Sequence, residues 1–196
     1  MDIISSIKKL DTAFFLFLNS KHNSFFDSLM DWASAKYIWI PFYAFLLFLV
    51  FRHVGKRIWL VVISVTLLIV ASDQISVHLF KNVFLRYRPC HNLLIKDVMH
   101  LNGNCGGTYG FISSHAANTF ALAMFLALFF KNRIRYFGIL IFLWAGFVSY
   151  SRIYNGVHYP ADVAVGALVG MAIGWLIFKL YQSVNRKLQE QMLPDS

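Results

Sequence analysis

The segment Ser151-Arg152-Ile153-Tyr154-Asn155-Gly156-Val157-His158-Tyr159-Pro160-Ala161-Asp162 sets a guanidinium, an imidazole and a carboxylate between two apolar stretches. Pro160 suits the first turn of a helix, where its missing N–H costs nothing. His158 then precedes that helix and Asp162 lies in its first turn. This spacing lets the carboxylate reach back to one ring nitrogen. An imidazole held in this way presents its other nitrogen, in one tautomer, as a base or a nucleophile. Arg152 adds a planar cation matched to phosphate or carboxylate.

Two further clusters carry similar chemistry. Lys81-Asn82-Val83-Phe84-Leu85-Arg86-Tyr87-Arg88-Pro89 closes one apolar stretch, and Ser113-Ser114-His115 opens another. Ser113 or Ser114 is a natural N-cap. The free N–H groups of such a helix start, together with the hydroxyls, make an anion site. Lys81, Arg88 and Arg152 plus a helix N-terminus exceed what one carboxylate ligand needs. They suit a phosphoryl group, whose transition state spreads negative charge over several oxygens. Taken singly, each piece has an ordinary structural reading. Lys81 and Arg88 could be snorkelling cations at a helix end, and Arg86 is left in that class. His115 could be a satisfied helix-start residue, His158 an interfacial histidine, and Arg152 a structural partner of Asp162. The chemical reading depends on the clusters meeting on one face.

The elements that must bring them together are membrane helices. The chain has 196 residues, 58% of them hydrophobic, with twenty Phe and only nine Asp plus Glu. Soluble domains sit nearer 45–50% apolar, on the roughly typical scale. The formal charge of +9 could suggest nucleic acid. The basic residues flank apolar runs, however, as in a membrane protein with basic loops, and no nucleic-acid partner is expected. The expected class is all-α: a polytopic membrane bundle in one domain, 1–196. It has five spans within 37–181, an N-terminal segment 1–36 holding an interfacial or re-entrant helix, and a polar tail 182–196 forming a frayed helix. Leu10–Leu18 is too short to cross a bilayer, which needs about 20 apolar residues. No small-residue cleavage site follows it, so no signal peptide is expected. The spans fall near 37–51, 58–80, 114–130, 136–153 and 161–181. Gly166, Gly170 and Gly174 recur every fourth residue along the last, a smooth stripe for helix packing within the chain or between copies. The oligomeric state stays open.

Five spans put the turns 52–57 and 131–135 and the tail on one face, with the long connection 81–112 and the segment 151–162 on the other. Nine of the eighteen cations lie on the first face and five on the second, with Lys8, Lys9, Lys21 and Lys36 unassigned. Because the first-face charges sit in short loops, that face is expected to be cytoplasmic. The clusters then face the periplasm or exterior. Cys90 and Cys105 both lie in the long connection. In an oxidising compartment they could pair, closing the loop for about 3 kcal/mol in the chain-entropy model; the alternative is two unrelated thiols. No metal is expected, since the closely spaced second ligand pair that Cys90-His91 would need is missing. Asp27 and Asp31 are four apart on one face of a helix and read as solvated or capping, because no His or third carboxylate stands beside them in sequence.

The three clusters together resemble the signature of the type 2 phosphatidic acid phosphatase superfamily: Lys, six residues, Arg-Pro; then Pro-Ser-Gly-His; then Ser-Arg, five residues, His, three residues, Asp. Lys81 with Arg88-Pro89 matches the first part in full, and Ser151-Arg152, His158 and Asp162 match the third. In the second part Ser113 and His115 keep their places, while Ile112 stands for Pro and Ser114 for Gly. The resemblance implies that His158 attacks phosphorus, Asp162 orients it and stabilises its charge, and His115 protonates the leaving oxygen and then activates water. Lys81, Arg88, Arg152 and Ser113 would hold the phosphoryl oxygens, with Ser114 a further candidate. No cofactor is implied. The expected activity is dephosphorylation of a membrane lipid phosphate or diphosphate at the outer leaflet of a bacterial inner membrane. Candidate substrates are undecaprenyl diphosphate, a lipid A phosphate, phosphatidylglycerol phosphate and phosphatidic acid. A lipid phosphotransferase and a non-catalytic binder or transporter of anionic lipid are the alternatives.

Overall fold

The computed structural model describes residues 3–192, so the first two residues of the N-terminal segment and the last four of the tail lie outside the described residues. Among the described residues the chain is helical and contains no strand. The helices are α1 (Ile3–Asn19), α2 (Ser24–Ser34), α3 (Ile40–Val54), α4 (Ile58–Gln74), the single turn α5 (Asn82–Phe84), α6 (Ser114–Phe130), α7 (Phe137–Tyr154) and α8 (Pro160–Met192). A π-helical stretch, Ile75–Lys81, joins α4 to α5.

Three helical segments are long and apolar enough to cross a membrane: Lys36–Phe84, Phe137–Tyr154 and Pro160–Gln191. The first makes two passes. Gly55 takes a positive φ of 54° and ends α3. The chain then doubles back, so that Tyr43, Leu46 and Val50 of α3 face Val61 and Val65 of α4. The remaining pass, α6, third in chain order, has 17 residues and spans about 25 Å. It can be shorter because it is the central helix: Ala117, Ala121, Phe125 and Phe129 are fully or almost fully buried against α4, α7 and α8. The outer helices are inverted in character. Phe45, Phe48, Ile63, Leu67, Leu140, Leu143, Leu168 and Leu176 are large, apolar and exposed. Helices apolar around their whole circumference belong in lipid, and the protein is an integral membrane helical bundle. The 33-residue α8 is about 50 Å long, well beyond a bilayer core of about 30 Å. Its polar end therefore continues outside as ordered helix up to Met192 rather than fraying after Tyr181.

The glycine stripe packs within the chain. A Cβ at Gly170 would lie 2.2 Å from the Ala117 carbonyl oxygen, and one at Gly174 2.3 Å from that of Ala121. The backbones of α6 and α8 approach closely because no side chain stands between them. Gly170→Val is expected to force the two helices apart, destabilising the protein by at least the 1–3 kcal/mol typical of overpacking; a lowered unfolding temperature in detergent checks it.

The bundle sorts its loops by end. Arg57 reaches Asn185, and His53 packs on Phe130, so the basic turns and the α8 tail gather at one end. At the other end, the Lys81 ammonium meets the start of α6, and the Ser113 N–H donates to the Asp162 carbonyl. The N-terminal segment, two helices here, caps this second end. Buried Asn19 donates to the carbonyls of His100 and Tyr154 and accepts from the His100 N–H. Asn155 donates to Met30 O and Ser34 Oγ. Asp27 accepts from Tyr154 Oη and lies 2.8 Å from His100 Nε2. Asp27 thus stands with His100, 73 residues away, and with His22, five residues before it, whose ring stacks on that of His100 at 3.8 Å.

Candidate active site

The site grows from the first turn of α8. Pro160 opens the helix. Asp162, completely buried, accepts the Tyr159 N–H through Oδ2 at 2.9 Å. The same oxygen lies 3.5 Å from His158 Nδ1, close enough to steer the ring but too long and bent for a full hydrogen bond. His158 is 2% exposed. Burial pushes its pKa down to about 4 against the opposing pull of Asp162, so the imidazole is neutral at pH 7. With Nδ1 turned to the carboxylate, Nε2 is the nitrogen left to act.

The cations arrive from three directions. Lys81, at the end of the π-helical stretch, donates to Ser114 Oγ at 2.7 Å. A wide turn of this kind is frequent at functional sites, where it re-aims a side chain. Arg88 donates through Nη1 to the Cys105 carbonyl at 2.8 Å and through Nε to that of Tyr109 at 3.4 Å. Cys105 is held in place by its disulfide to Cys90, with Cα atoms 6.1 Å apart. Arg152, in the last turn of α7, donates to Ser34 Oγ at 2.8 Å, while its buried Nε finds no partner in the protein. Arg88 and Arg152 both lie within electrostatic reach of His158. None of Lys81, Arg88 and Arg152 forms an ion pair with a carboxylate among the described residues.

Ser113 is the N-cap of α6, accepting from the Ala116 N–H at 3.4 Å, and is completely buried. Ser114 is occupied by Lys81. His115 lies against the Ser34 backbone, within electrostatic reach of Arg152 and His158. Ile112, at the family's proline position, is fully buried. Gly110 admits the whole arrangement: a Cβ there would lie 3.0 Å from Arg88 Cγ and 3.3 Å from Asp162 Oδ2.

The structure therefore brings all eight sequence-derived candidates to one end of the bundle. It also adds two residues that sequence reasoning missed. Arg86, left there among the snorkelling cations, donates to Asp162 Oδ1 at 2.8 Å and to Asp11 Oδ2 at 2.6 Å. Its guanidinium stacks 4.0 Å from the Tyr159 ring centroid. Asp11 accepts the Ala161 N–H through its other oxygen. The structural partner of Asp162 is thus Arg86, not Arg152, because Arg152 sits across the site on Ser34. The one signal in the sequence was Asp11 itself, a carboxylate inside an otherwise apolar stretch.

A neutral imidazole backed by a carboxylate, a second imidazole nearby and three cations free of carboxylates can bind a phosphoryl group and transfer it. Residues 61–186 match the PAP2 superfamily. Over 95% of its length the chain is 36% identical to a lipid A 4'-phosphatase of Bacteroides thetaiotaomicron, covering 84% of that protein. It is 32% identical to an undecaprenyl-diphosphatase of Sulfolobus acidocaldarius over 81% of this chain and 70% of that one. Among solved structures, that of Aquifex aeolicus LpxE superposes with a TM-score of 0.64 at 25% identity, covering 87% of this chain and 95% of the other. Fold and site together define a membrane phosphatase. The chain belongs to the PAP2 superfamily and acts on membrane lipid phosphate.

Proposed function

We propose that the protein hydrolyses the phosphate of an acylated glycolipid, a lipid A phosphate first among the candidates, through a phosphohistidine formed at the outer leaflet. One observation carries this reading: Arg88 and Arg152 lie within electrostatic reach of His158 and Lys81 within reach of both arginines, none of the three at ion-pair distance from a carboxylate among the described residues, while the neighbouring Arg86 takes both Asp11 and Asp162. Three half-buried cations at one end with no ion pair leave positive charge available to an anion.

His158 Nε2 attacks phosphorus as the bond to the lipid oxygen breaks, and His115, entering as the imidazolium beside the anionic phosphate, gives its proton to that oxygen and is left neutral. Asp162 compensates the positive charge that develops on the His158 ring. Lys81, Arg88, Arg152 and the α6 N-terminus at Ser113 bind the equatorial oxygens more tightly as charge accumulates on them. Water then attacks phosphorus and loses its proton to neutral His115 while the P–N bond breaks, releasing inorganic phosphate and returning His158 to its starting form. Lys8, Lys9, Lys21 and Lys36 come with the N-terminal segment to the site end, so each end holds nine cations; the outward orientation is supported by the short basic turns 52–57 and 131–135, where the inside bias is strongest.

The Sulfolobus relative favours a second substrate, a polyprenyl diphosphate, on the same chemistry. Incubating the purified protein with lipid A, undecaprenyl diphosphate, phosphatidylglycerol phosphate and phosphatidic acid, each with chelator, tests the reading. Lipid A is expected to release phosphate fastest, with an acid-labile phosphoenzyme trapped on quenching; label passing into another lipid instead of free phosphate would mark a phosphotransferase.

Two further outcomes are expected. Because the neutral form of His158 is the nucleophile and burial lowers its pKa to about 4, the acid limb of kcat/KM belongs near that pH, not near the ordinary value of about 6.5. A histidine pKa lower in the folded than in the unfolded state also means that stability falls as pH drops from about 6.5 towards 4. A pH-rate profile and acid unfolding scans measure both. Replacing Cys90 and Cys105 together by serine is expected to cost about 3 kcal/mol, the chain-entropy value for a loop near this length. It should also raise KM, since the Cys105 carbonyl positions Arg88.

A further inference from the structure

The end of the bundle away from His158 gathers positive charge that the reaction does not use. A pocket of about 540 Å³ opens there between the α6–α7 turn and α8. Lys131, Asn132 and Arg133 line it from the turn, and Trp175, Lys179 and Gln182 line it from α8. No carboxylate is among its lining residues. Glu190, the next carboxylate along α8, lies eleven residues beyond Lys179 and pairs with Arg186 at 3.8 Å. Eleven residues are about 16 Å along a helix axis, beyond the screening length of about 8 Å at physiological ionic strength.

Taken singly, these cations have ordinary roles. Basic residues in a short turn follow from membrane topology. Arg133 also serves the end of α6: its Nη1 donates to the Phe129 carbonyl, and its guanidinium stacks 4.6 Å from the Phe129 ring centroid. Lys131 and Lys179 are different. Both are exposed, and neither forms an ion pair among the described residues. They reach the same pocket from its two sides although 48 residues separate them in the chain, which the topology of one turn does not require. Trp175, 47% exposed, lies beneath Lys179, whose ammonium is 5.9 Å from the ring centroid. Leu176, exposed beside it, continues the lipid-facing surface of α8. An exposed tryptophan where an apolar span gives way to polar helix belongs at headgroup level.

We infer that this pocket binds the phosphodiester headgroup of an anionic phospholipid, in the leaflet at the end opposite the active site. The ammonium groups of Lys131 and Lys179 meet the phosphate from either side, and the amide N–H groups of Asn132 and Gln182 donate to its oxygens. The acyl chains run beside Leu176 along α8. Basic pockets between transmembrane helices recognise anionic headgroups through this combination of charge and depth. A free phosphate would meet the same cations but leave Trp175 and the adjoining apolar surface without a role, so the lipid is the occupant. The inference is independent of the reaction, whose residues lie at the other end.

The test reads tryptophan fluorescence of the purified protein in neutral detergent during titration with phosphatidylglycerol or phosphatidylcholine brominated on the upper acyl carbons. The signal is the quenching that Trp175→Phe removes, which separates lipid at this pocket from lipid elsewhere. In that signal phosphatidylglycerol is expected to act at about 30-fold lower concentration than phosphatidylcholine, two lysines contributing roughly 5-fold each. With Lys131→Gln and Lys179→Gln combined, the two lipids should act within about 2-fold of each other. The unfolding temperature in detergent should not change, since both lysines are exposed and outside any ion pair. Equal quenching by the two lipids in the unaltered protein, or a preference that survives the double substitution, overturns the inference. So does a signal that Trp175→Phe fails to reduce. Inorganic phosphate in excess over the lipid separates the two sources of the anion: it should leave the signal in place, and displacement of phosphatidylglycerol by it would make this a soluble-anion site and overturn the lipid assignment.

Discussion

Replacing His158 by alanine is expected to reduce phosphate release by about 10⁴-fold or more, the scale on which removal of a covalent nucleophile acts. The loss falls on kcat because the phosphoenzyme can no longer form. Substrate binding should persist, since Lys81, Arg88, Arg152 and Ser113 are anchored by neighbours other than His158: Ser114 Oγ, the Cys105 carbonyl, Ser34 Oγ and the Ala116 N–H. The fold should also persist, because Asp162 keeps Arg86 and the Tyr159 N–H. The measurements are single-turnover phosphate release, lipid binding and an unfolding scan on one preparation. Retained turnover would remove His158 from the nucleophile's role. Loss of turnover together with loss of fold would point to a structural histidine instead.

The second large effect is expected from Arg86. Its side chain is 21% exposed and bridges Asp11, 9% exposed, and Asp162, completely buried. Arg86→Met removes the one lysine or arginine that, among the described residues, ion-pairs with both carboxylates. Breaking such a pair leaves uncompensated buried charge and costs about 3 kcal/mol or more. Relief comes by protonating Asp162 or by rotating it away from His158, and either change weakens its hold on the ring. Activity should therefore fall by about 10²-fold with kcat affected more than KM, since Arg86 faces the carboxylates and not the phosphate site. Arg86→Lys should recover little, because a point ammonium cannot span two carboxylates as a planar fork does. The informative second readout is the acid limb of the pH-rate profile. If Arg86 acts through Asp162, that limb moves; if Arg86 merely braces the fold, stability falls and the limb stays where it was.

These two residues mark how much could be read in advance. The contacts of His158 with Asp162 are local: a proline at a helix start and a spacing of four residues place carboxylate and imidazole together whatever the rest of the chain does. The five spans were legible for a comparable reason. A bilayer imposes a length and a polarity on each helix, and that requirement is written in a single run of residues. The convergence of Lys81, Arg88, Ser113, His115 and Arg152 followed from counting passes, because an even or odd number of crossings decides on which side a loop emerges.

Arg86 is different. Arg86 and Arg88 are both arginines two residues apart in the same segment, and nothing local says that one is neutralised and the other is not. That depends on Asp11, 75 residues earlier, lying on the face of α1 that meets the first turn of α8. The same holds for Asp27 with His100 and for Asn19 between two distant carbonyls. Sequence by itself determined the membrane class, the number of crossings and the chemistry available at one end, because helix period and bilayer thickness act on contiguous residues. Which carboxylate each cation receives, and which cations receive none, was decided only by tertiary structure. Ion pairing and burial depend on distances through space, and in a bundle those are set by how helices far apart in the chain rotate against one another.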